Sequence, residues 1–347
     1  MDGDRTATIL GFAGALVVLL VLFWFVGVGE VVAALTSADP PTVALVVPVA
    51  LFWLSCWGMA LHTVLGALGV SISPPKAVLV FSAAVFSNNV TPFGQAGGEP
   101  LSALLISRAT DSEYETGLAA IASVDALHFV PSIGLAVIGL SVFAVRTVTF
   151  GRNVLIAAAA VGTLALAIPV AVYVGWRYRY ELEGAVVRVL TPLISGLARL
   201  VPGREAPSAA AIERRIEAFF QAIDRVANSR STIVIALGFS LCGWLALATS
   251  LWLSVTALGP AIPFAAALIV IPAGSIAGIT PLPGGLGGIE AAFVVLLIST
   301  TGVTPAVASA AVVIHRGATY WFPTVLGGGT AAALGARHGR NGRSGEK

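Results

Sequence analysis

The feature that most constrains this sequence is a series of apolar runs, each long enough to cross a bilayer. Residues 7–29, 42–69, 116–144, 153–176 and 232–258 form such runs, and about 20 apolar residues suffice for a helix that spans the hydrocarbon core. Of the 347 residues, 57% are hydrophobic and only 10% are charged, whereas about 25% are charged in soluble domains. The sequence therefore predicts an all-α polytopic integral membrane protein.

One further apolar stretch is interrupted by the sequence Thr280-Pro-Leu-Pro-Gly-Gly-Leu-Gly-Gly-Ile-Glu290. Proline lacks the backbone donor that a helix needs, and glycine allows backbone conformations that other residues resist. An unpaired backbone group in hydrocarbon costs several kcal/mol, so a break of this kind persists only where protein or a water-filled cavity covers it. We therefore expect this break to line the functional site.

A second break, in the first half of the chain, has a similar composition. It consists of Thr91-Pro-Phe-Gly-Gln-Ala-Gly-Gly-Glu99, and it shares with the later break a Thr-Pro start and a glycine pair just before a glutamate. We assign the backbone of both breaks to the functional site, namely Thr91, Pro92, Gly97 and Gly98 in the first break and Thr280, Pro281, Pro283, Gly284, Gly285, Gly287 and Gly288 in the second.

The matching register continues beyond the breaks and predicts an internal repeat. Asp125 follows Glu99 by 26 residues, and Arg316 follows Glu290 by 26 residues. We therefore divide this single membrane domain into a first membrane repeat, a polar linker, a second membrane repeat and a basic tail, which cover residues 1–176, 177–231, 232–336 and 337–347.

The polar linker indicates how the chain is oriented. Cytoplasmic loops are enriched in Lys and Arg, and the linker contains nine arginines. If the broken segments 77–106 and 262–302 both turn back within the cell membrane, then the linker and both termini lie in the cytoplasm. We therefore predict about six spanning helices, the last over 304–334, and two re-entrant broken helices in an inverted-topology repeat. Eight full spans are the alternative.

The linker also contains one amphipathic pattern. Ser208 belongs to the residue types that cap helices, and the apolar residues after it recur at helical spacing. This pattern predicts a cytoplasmic helix that lies on the membrane surface or packs on the bundle. Its apolar residues are Ile212, Ile216, Phe219, Ile223 and Val226.

Two glutamates follow the breaks directly. Glu99 and Glu290 either complement the positive start of a helix or bind a coupling proton or cation, because a charge at membrane depth costs at least about 2.5 kcal/mol and is seldom without a role. The glycine breaks offer free backbone N–H groups that suit an anion such as phosphate. Tight packing between helices is the alternative role for these glycines.

Four more ionisable residues lie inside predicted spans. Asp125 and Arg316 have opposite charges at equivalent positions, so we expect a buried pair between the two repeats. Alternatively, Arg316 binds a phosphate head group, because guanidinium matches phosphate geometry. His128 and His315 are candidates for a proton relay, with hydrogen-bonded core histidines as the alternative.

Several functional classes lack support in this sequence. We find no nucleophile elbow, phosphate-binding loop, dinucleotide fingerprint or metal-ligand spacing. The polar linker is also too short and too simple for an enzyme domain. We therefore expect no enzyme activity, no cofactor or metal, and no nucleic-acid partner.

The second break and the span after it resemble a known family. Pro283-Gly-Gly-Leu-Gly-Gly-Ile-Glu-Ala-Ala and His315-Arg-Gly-Ala-Thr-Tyr-Trp-Phe-Pro323 look like the closing signature of the lysylphosphatidylglycerol synthase transmembrane-region family, whose members are also called flippase-like domain proteins. The first break and Arg108 are similar to its first-half signature. Members commonly carry an acid–arginine pair where this sequence has Asp125-Ala126, which leaves Arg316 as the main basic candidate within a span.

This resemblance implies a function in lipid movement. In the multiple peptide resistance factor, the related domain is associated with moving aminoacylated phospholipid between leaflets. The implied activity is ATP-independent translocation of a polar or phosphate-bearing head group. The implied partners are membrane lipids, either an anionic or aminoacylated phospholipid or a polyprenyl-phosphate lipid, and a homo-oligomer is compatible with this role. The alternatives are an ion-coupled transporter of small solutes and a non-transporting partner of a lipid or glycan enzyme.

Overall fold

A computed structural model of the chain describes residues 26–146 and 208–344 continuously, together with short pieces between 13 and 24 and between 159 and 188. These residues form helices and their connections, and no β-strand occurs among them. Most of the predicted spans 7–29 and 153–176 lies outside the described residues, as does most of the linker before residue 208.

The two continuous ranges form eleven helices of nine residues or more, numbered here in chain order. They are α1 (Val28–Thr36), α2 (Pro40–Ala67), α3 (Pro74–Val90), α4 (Gln95–Thr110), α5 (Tyr114–Arg146), α6 (Ala209–Asn228), α7 (Arg230–Thr256), α8 (Phe264–Ser275), α9 (Gly288–Thr301), α10 (Pro305–Arg316) and α11 (Phe322–Ser344). A single π-helical turn, Gly317–Trp321, joins α10 to α11.

Four helical stretches of the described ranges are long and apolar enough to cross a membrane. Three of them coincide with predicted spans, which confirms the all-α membrane fold. The fourth is the second arm of the second broken segment, and the predicted span 304–334 consists of α10, the π turn and part of α11. The four stretches are Pro40–Ala67, Tyr114–Val142, Arg230–Thr256 and Pro283–Thr301.

The first broken segment is a helical hairpin of α3 and α4. Its arms run antiparallel, since the Ser102 hydroxyl at the middle of α4 donates to the Ala84 carbonyl of α3 at 3.3 Å. Nearer the tip, a Cβ on Gly98 would lie 2.6 Å from the Asn88 Cα atom, so only glycine permits this approach. Because α4 already begins at Gln95, both Gly97 and Gly98 lie within the helix, and Glu99 lies in its second turn. Glu99 is therefore absent from the first turn of α4, where it would complement the positive start of the helix as one of its two predicted roles requires.

The second broken segment is also an antiparallel hairpin. A Cβ on Gly274 of α8 would lie 2.2 Å from the Phe293 ring of α9. The tip is formed by two short 3₁₀ turns, Ile276–Ile279 and Pro283–Gly285, and α9 begins only at Gly288. A hairpin returns to the side from which it came, and the re-entrant arrangement, which stays a prediction, has the same requirement.

Each hairpin packs against the long helix of the other half. Helix α5, which follows the first hairpin, packs on α8 of the second hairpin, and α11, which follows the second, packs on α3 of the first. Small residues permit both contacts: a Cβ on Gly139 would lie 3.0 Å from the Ala265 carbonyl, and one on Gly327 would lie 2.0 Å from the Ser82 carbonyl. Helices α2 and α7, which precede the hairpins, pack on each other.

The amphipathic helix predicted in the linker is present as α6. Its N-cap Ser208 accepts a hydrogen bond from the Ala211 amide at 3.2 Å. Its apolar face packs on α5, with Ile212 and Val226 buried. Arg215 pairs with Glu115 at the start of α5 at 3.2 Å. The helix therefore packs on the bundle, which is one of the two locations predicted for it.

Candidate functional site

The tips of the two hairpins meet inside the protein. Gly284 of the second tip approaches Asn89 of the first so closely that a Cβ on Gly284 would lie 2.9 Å from the Asn89 Cα atom. The Tyr320 hydroxyl, from the π turn, donates to the Asn89 carbonyl at 2.9 Å. The Asn89 side-chain amide donates to the Thr324 hydroxyl at 2.7 Å. The two breaks, far apart in sequence, thus form one structural junction with the start of α11.

The remaining tip residues support this junction. Thr91 ends α3, and its hydroxyl donates to the Ser87 carbonyl at 2.6 Å. The carbonyl of Pro92 would lie 2.0 Å from a Cβ on Gly97, so the tip folds back onto the first turn of α4. In the second tip, the Thr280 hydroxyl is buried and has no hydrogen-bond partner among the described residues.

The prolines and glycines of the second tip differ in exposure. Pro283 and Gly285 are buried, whereas Pro281 is exposed. Gly287 has a positive φ of 83° as the N-cap of α9, and Gly288 lies against the Thr280 side chain. The second break therefore forms an irregular tip, in which glycine is needed for conformation, while the glycine pair of the first break is needed for close packing.

Glu290 links this tip to α10. One carboxylate oxygen accepts a hydrogen bond from the Gly287 amide at 2.5 Å, which satisfies a free donor at the start of α9. The other oxygen accepts from Arg316 Nε at 2.5 Å. The side chains of Glu290 and Arg316 are only 8% and 13% exposed. Glu290 thus performs the capping role predicted for it and also neutralises a buried guanidinium.

Arg316 is oriented by three neighbours. Besides its bond to Glu290, its Nη2 group donates to the Gly284 carbonyl at 3.5 Å. Its guanidinium carbon lies 4.5 Å from the centroid of the Tyr320 ring, a cation–π distance. The π turn places Tyr320 at this position, and π-helical turns occur frequently at functional sites. The arrangement holds a planar cation at the junction of the two breaks.

The expected pair between Asp125 and Arg316 is wrong. Arg316 pairs instead with Glu290, because α9 and α10 are neighbours and the start of one meets the end of the other. Asp125 lies in α5 with 8% of its surface exposed. Its Oδ2 atom is buried and has no hydrogen-bond partner among the described residues, and Glu99 is close enough for its charge to act on Asp125. The two equivalent positions of the repeat therefore have different surroundings.

Both candidate histidines bind serines of α7. His128 Nδ1 lies 2.8 Å from the Ser240 hydroxyl, and the imidazole stacks on Trp57 with 4.0 Å between ring centroids. His315 Nδ1 lies 2.8 Å from the Ser250 hydroxyl. Both histidines are buried and hydrogen-bonded in the core, as the alternative to a relay expects.

Arg108 lies away from the junction. It is exposed, in the last turn of α4, and 13 residues of helix separate it from Gln95, which corresponds to about 20 Å. The structure therefore brings Glu290, Arg316 and the second tip together with the first tip, and it leaves Arg108 at the opposite end of the hairpin arm.

Two residues of the junction, Tyr320 and Thr324, were not among the predicted site residues. Tyr320 is 2% exposed, and both residues form hydrogen bonds with Asn89 of the first half. Tyr320 follows Arg316 by four residues, one turn of a helix. That spacing is a sequence signal for contact, whereas the residue type alone favours the membrane interface, where tyrosine is frequent.

Comparison with known proteins places this architecture in a family. The family described as the lysylphosphatidylglycerol synthase transmembrane region matches residues 8–327. The chain belongs to this family. The matched range contains both hairpins and every ionisable residue of the junction, so the resemblance inferred from the sequence signatures is confirmed.

Similar proteins occur in archaea. A UPF0104 membrane protein of Methanothermobacter thermautotrophicus is 25% identical over 329 residues, which cover 93% of this chain and 92% of the relative. A second one from the same organism is 24% identical and covers 90% of each chain. A UPF0104 membrane protein of Pyrococcus horikoshii is 22% identical, over 89% of this chain and 92% of the relative. Together with the apolar helices, these matches identify a multi-pass membrane protein.

Proposed function

We propose that this protein is a lipid translocase of the cell membrane, which moves a polar or phosphate-bearing head group between leaflets without ATP and without catalysis. The observation behind this proposal is the buried Arg316, held at the junction of two broken helices. Transporters commonly bind substrate where discontinuous helices meet near the midplane. A cation at such a position is expensive to bury and is expected to have a functional partner.

The guanidinium of Arg316 is suited to a phosphate group. It is planar, remains charged, and can donate two parallel hydrogen bonds to phosphate oxygens. In the described structure Glu290 accepts the Nε hydrogen bond. A phosphate that enters the junction exchanges with this carboxylate, so that Arg316 keeps an anionic partner throughout. Glu290 remains hydrogen-bonded to the Gly287 amide at the start of α9. This bond compensates in part for the hydrogen bond that Glu290 loses when Arg316 binds the phosphate.

The contact between the halves is suited to opening and closing. Across the tips, the Asn89–Tyr320 and Asn89–Thr324 hydrogen bonds are each worth about 1 kcal/mol net. The reciprocal packing of each long helix on the other hairpin supports an inverted repeat. Movement of one repeat against the other is how such repeats expose a central site to alternate sides.

The family supports a lipid as the substrate. The description of the family refers to the transmembrane region of a lysylphosphatidylglycerol synthase. Lysylphosphatidylglycerol is an aminoacylated phospholipid. Acyl or isoprenoid chains of the substrate remain in the bilayer while the head group passes the junction. We therefore propose an anionic or aminoacylated phospholipid, or a polyprenyl-phosphate lipid, as the cargo, and we place both termini in the cytoplasm.

A reconstitution experiment tests this function. The purified full chain is placed in liposomes with a fluorescently labelled phosphatidylglycerol, and dithionite quenching reports the fraction of labelled lipid that reaches the outer leaflet. We expect the wild type to translocate lipid above protein-free liposomes, and Arg316→Ala to lose at least tenfold in rate. Arg214→Ala, at an exposed arginine of α6, is the matched control and should retain the wild-type rate.

Two results would contradict the proposal. One is background translocation by the wild type with phosphatidylglycerol, its lysyl derivative and a polyprenyl phosphate alike. The other is an Arg316→Ala variant that translocates as fast as Arg214→Ala.

A further inference from the structure

The first half of the molecule contains a buried acid pair that the lipid site does not use. Asp125 of α5 is 8% exposed, and its Oδ2 atom has no hydrogen-bond partner among the described residues. Glu99 of α4, which is half-buried, is the charge that interacts with it. Glu99 lies in the second turn after the first tip, whereas Arg316 is held by Glu290 at the second tip.

A third oxygen-bearing side chain lies next to this pair. The Asn88 Oδ1 atom of α3 is buried and has no hydrogen-bond partner in the described part of the chain. It faces the Gly98 backbone directly, since a Cβ on Gly98 would lie 2.1 Å from it, and Gly98 precedes Glu99 in the chain. Asn88 of α3 therefore contributes an unpaired acceptor group beside the turn of α4 that contains Glu99.

The helices that pack on α5 determine which basic side chains of the described residues can approach Asp125. Helices α2, α4, α6, α7 and α8 pack on α5, and α8 has no ionisable residue. Along α4, the basic residue nearest to Glu99 is Arg108, nine residues away, which corresponds to about 14 Å along the helix axis. Along α7, Arg230 lies ten residues from Ser240, the α7 residue that contacts His128 of α5, which corresponds to about 15 Å. His128, one turn after Asp125, is bonded to Ser240.

The other ionisable groups on the packed helices and on α3 are known from the sequence. They are Cys56 and His62 on α2, Lys76 on α3, Tyr114, Glu115 and Arg146 on α5, Glu213, Arg214, Arg215, Glu217, Asp224 and Arg225 on α6, and Cys242 on α7. Of these groups and Glu99, it is Glu99 that lies close enough to Asp125 for an electrostatic interaction to be resolved.

Two carboxylates in this position cannot both remain ionised without a positive partner. Like charges at close range repel strongly where water is excluded, and removing one ionised carboxylate from water already costs several kcal/mol. The burial of Asp125 and the nearby charge of Glu99 therefore both favour the binding of a cation. A hard metal cation takes about six or more oxygen ligands, whereas a proton needs a single oxygen lone pair and no cavity.

We propose that Asp125 and Glu99 form a proton-binding site. A hydronium ion transfers its proton to one carboxylate, so that one O–H bond of hydronium breaks, one O–H bond forms on the carboxylate and a water molecule is left. The net charge of the pair falls from −2 to −1. The Asn88 carbonyl oxygen is available to accept a hydrogen bond from the protonated acid. In the translocase this site supplies the coupling ion, a role that rests on the proposed function, although proton binding itself does not.

Infrared difference spectroscopy of the purified full chain in lipid tests this site directly. A protonated carboxylic acid has a C=O stretching band that an ionised carboxylate lacks. Exposed Asp and Glu are ionised at neutral pH, because their pKa values lie near 4. We expect the wild type to retain a carboxylic acid band at neutral pH, which shifts in D₂O and disappears only at alkaline pH. Asp125→Asn should abolish the band.

A matched variant and a second acid variant complete the test. Asp111→Asn changes an exposed aspartate in the loop after α4 and should leave the band unchanged. Glu99→Gln should shift or weaken the carboxylic acid band, since the charge of the partner acid is removed. This variant tests the proton site if Asp125→Asn does not fold. Because the band does not depend on lipid movement, a wild type that shows the band and translocates no lipid would contradict the proposed function alone.

Three results would overturn the proton site. The first is a wild type with no carboxylic acid band at neutral pH. The second is a band that persists unchanged in folded Asp125→Asn and in Glu99→Gln. The third is a band that sodium chloride removes at constant pH while choline chloride does not, because a sodium ion would then be the natural occupant of the acid pair.

Discussion

At the residue scale, Glu290 and Arg316 depend on each other for burial. Each side chain is almost completely removed from water, and they share a 2.5 Å hydrogen bond. Loss of one partner of a buried ion pair is strongly destabilising, because the other charge stays buried without compensation, whereas loss of both is much less costly. The pair is therefore a structural constraint in the described state as well as the proposed site of phosphate exchange.

A double-mutant cycle measures this dependence. We expect Glu290→Gln and Arg316→Ala each to lower the free energy of unfolding, measured by chemical denaturation in detergent. The double variant should lose less than the sum of the two, by about 1–3 kcal/mol, as is typical of residues in direct contact. Purely additive effects would show that the two side chains do not interact in the folded protein.

At the element scale, the two hairpins differ in how they use glycine. Both need the absence of a Cβ atom where their arms meet, at Gly98 in the first hairpin and at Gly274 in the second. The tip of the first hairpin has one glycine with a positive φ angle, Gly94, whereas the tip of the second has three, Gly284, Gly285 and Gly287, before α9 begins at Gly288. The two breaks differ in local structure although their sequences are similar.

This difference predicts the effect of one methyl group. In Gly98→Ala the new Cβ would lie 2.6 Å from backbone atoms of Asn88, so the arms of the hairpin must separate. Overpacking of this kind costs about 1–3 kcal/mol, which a lower thermal unfolding midpoint will report. Gly134→Ala is the control, because nothing lies within 4 Å of its Cβ position in α5, and Ala is the better helix former. Equal midpoints for the two variants would refute the close contact.

Much of the helical scaffold was predictable from the length of apolar runs. Helices α2, α5 and α7 begin and end within two residues of the predicted spans, because the bilayer requires about 20 apolar residues per crossing. The π turn after Arg316 was not predictable in this way. It interrupts an unbroken helical pattern, and its position depends on how Tyr320 packs against Asn89 and the guanidinium.

The candidate site was predictable in its members but not in their pairing. Glu290 and Arg316 were both singled out because ionisable residues are rare at membrane depth. The equal separations of 26 residues favoured a pair between the halves. Sequence register locates equivalent positions, but it carries no information on which helices are neighbours, and here Arg316 meets the glutamate of its own half.

At the scale of the whole molecule, the arrangement of contacts has an approximate two-fold character. Each long helix packs on the first arm of the opposite hairpin, and the helices that precede the hairpins pack on each other. An inverted repeat related by an axis in the membrane plane produces such reciprocal contacts. It also places the open ends of the two hairpins on opposite sides of the membrane, which loop labelling can measure.

Single cysteines in the hairpin loops test this orientation in a background with Cys56 and Cys242 replaced by serine. Asp111→Cys, between α4 and α5, should react with a membrane-impermeant maleimide only when the cytoplasmic side is open to the reagent. Ala261→Cys, between α7 and α8, should react from outside in intact cells; both positions are exposed. The basic linker and tail favour this orientation, since positive residues remain in the cytoplasm. Labelling of both cysteines from the same side would exclude the inverted repeat, because two hairpins of opposite orientation cannot open to one compartment.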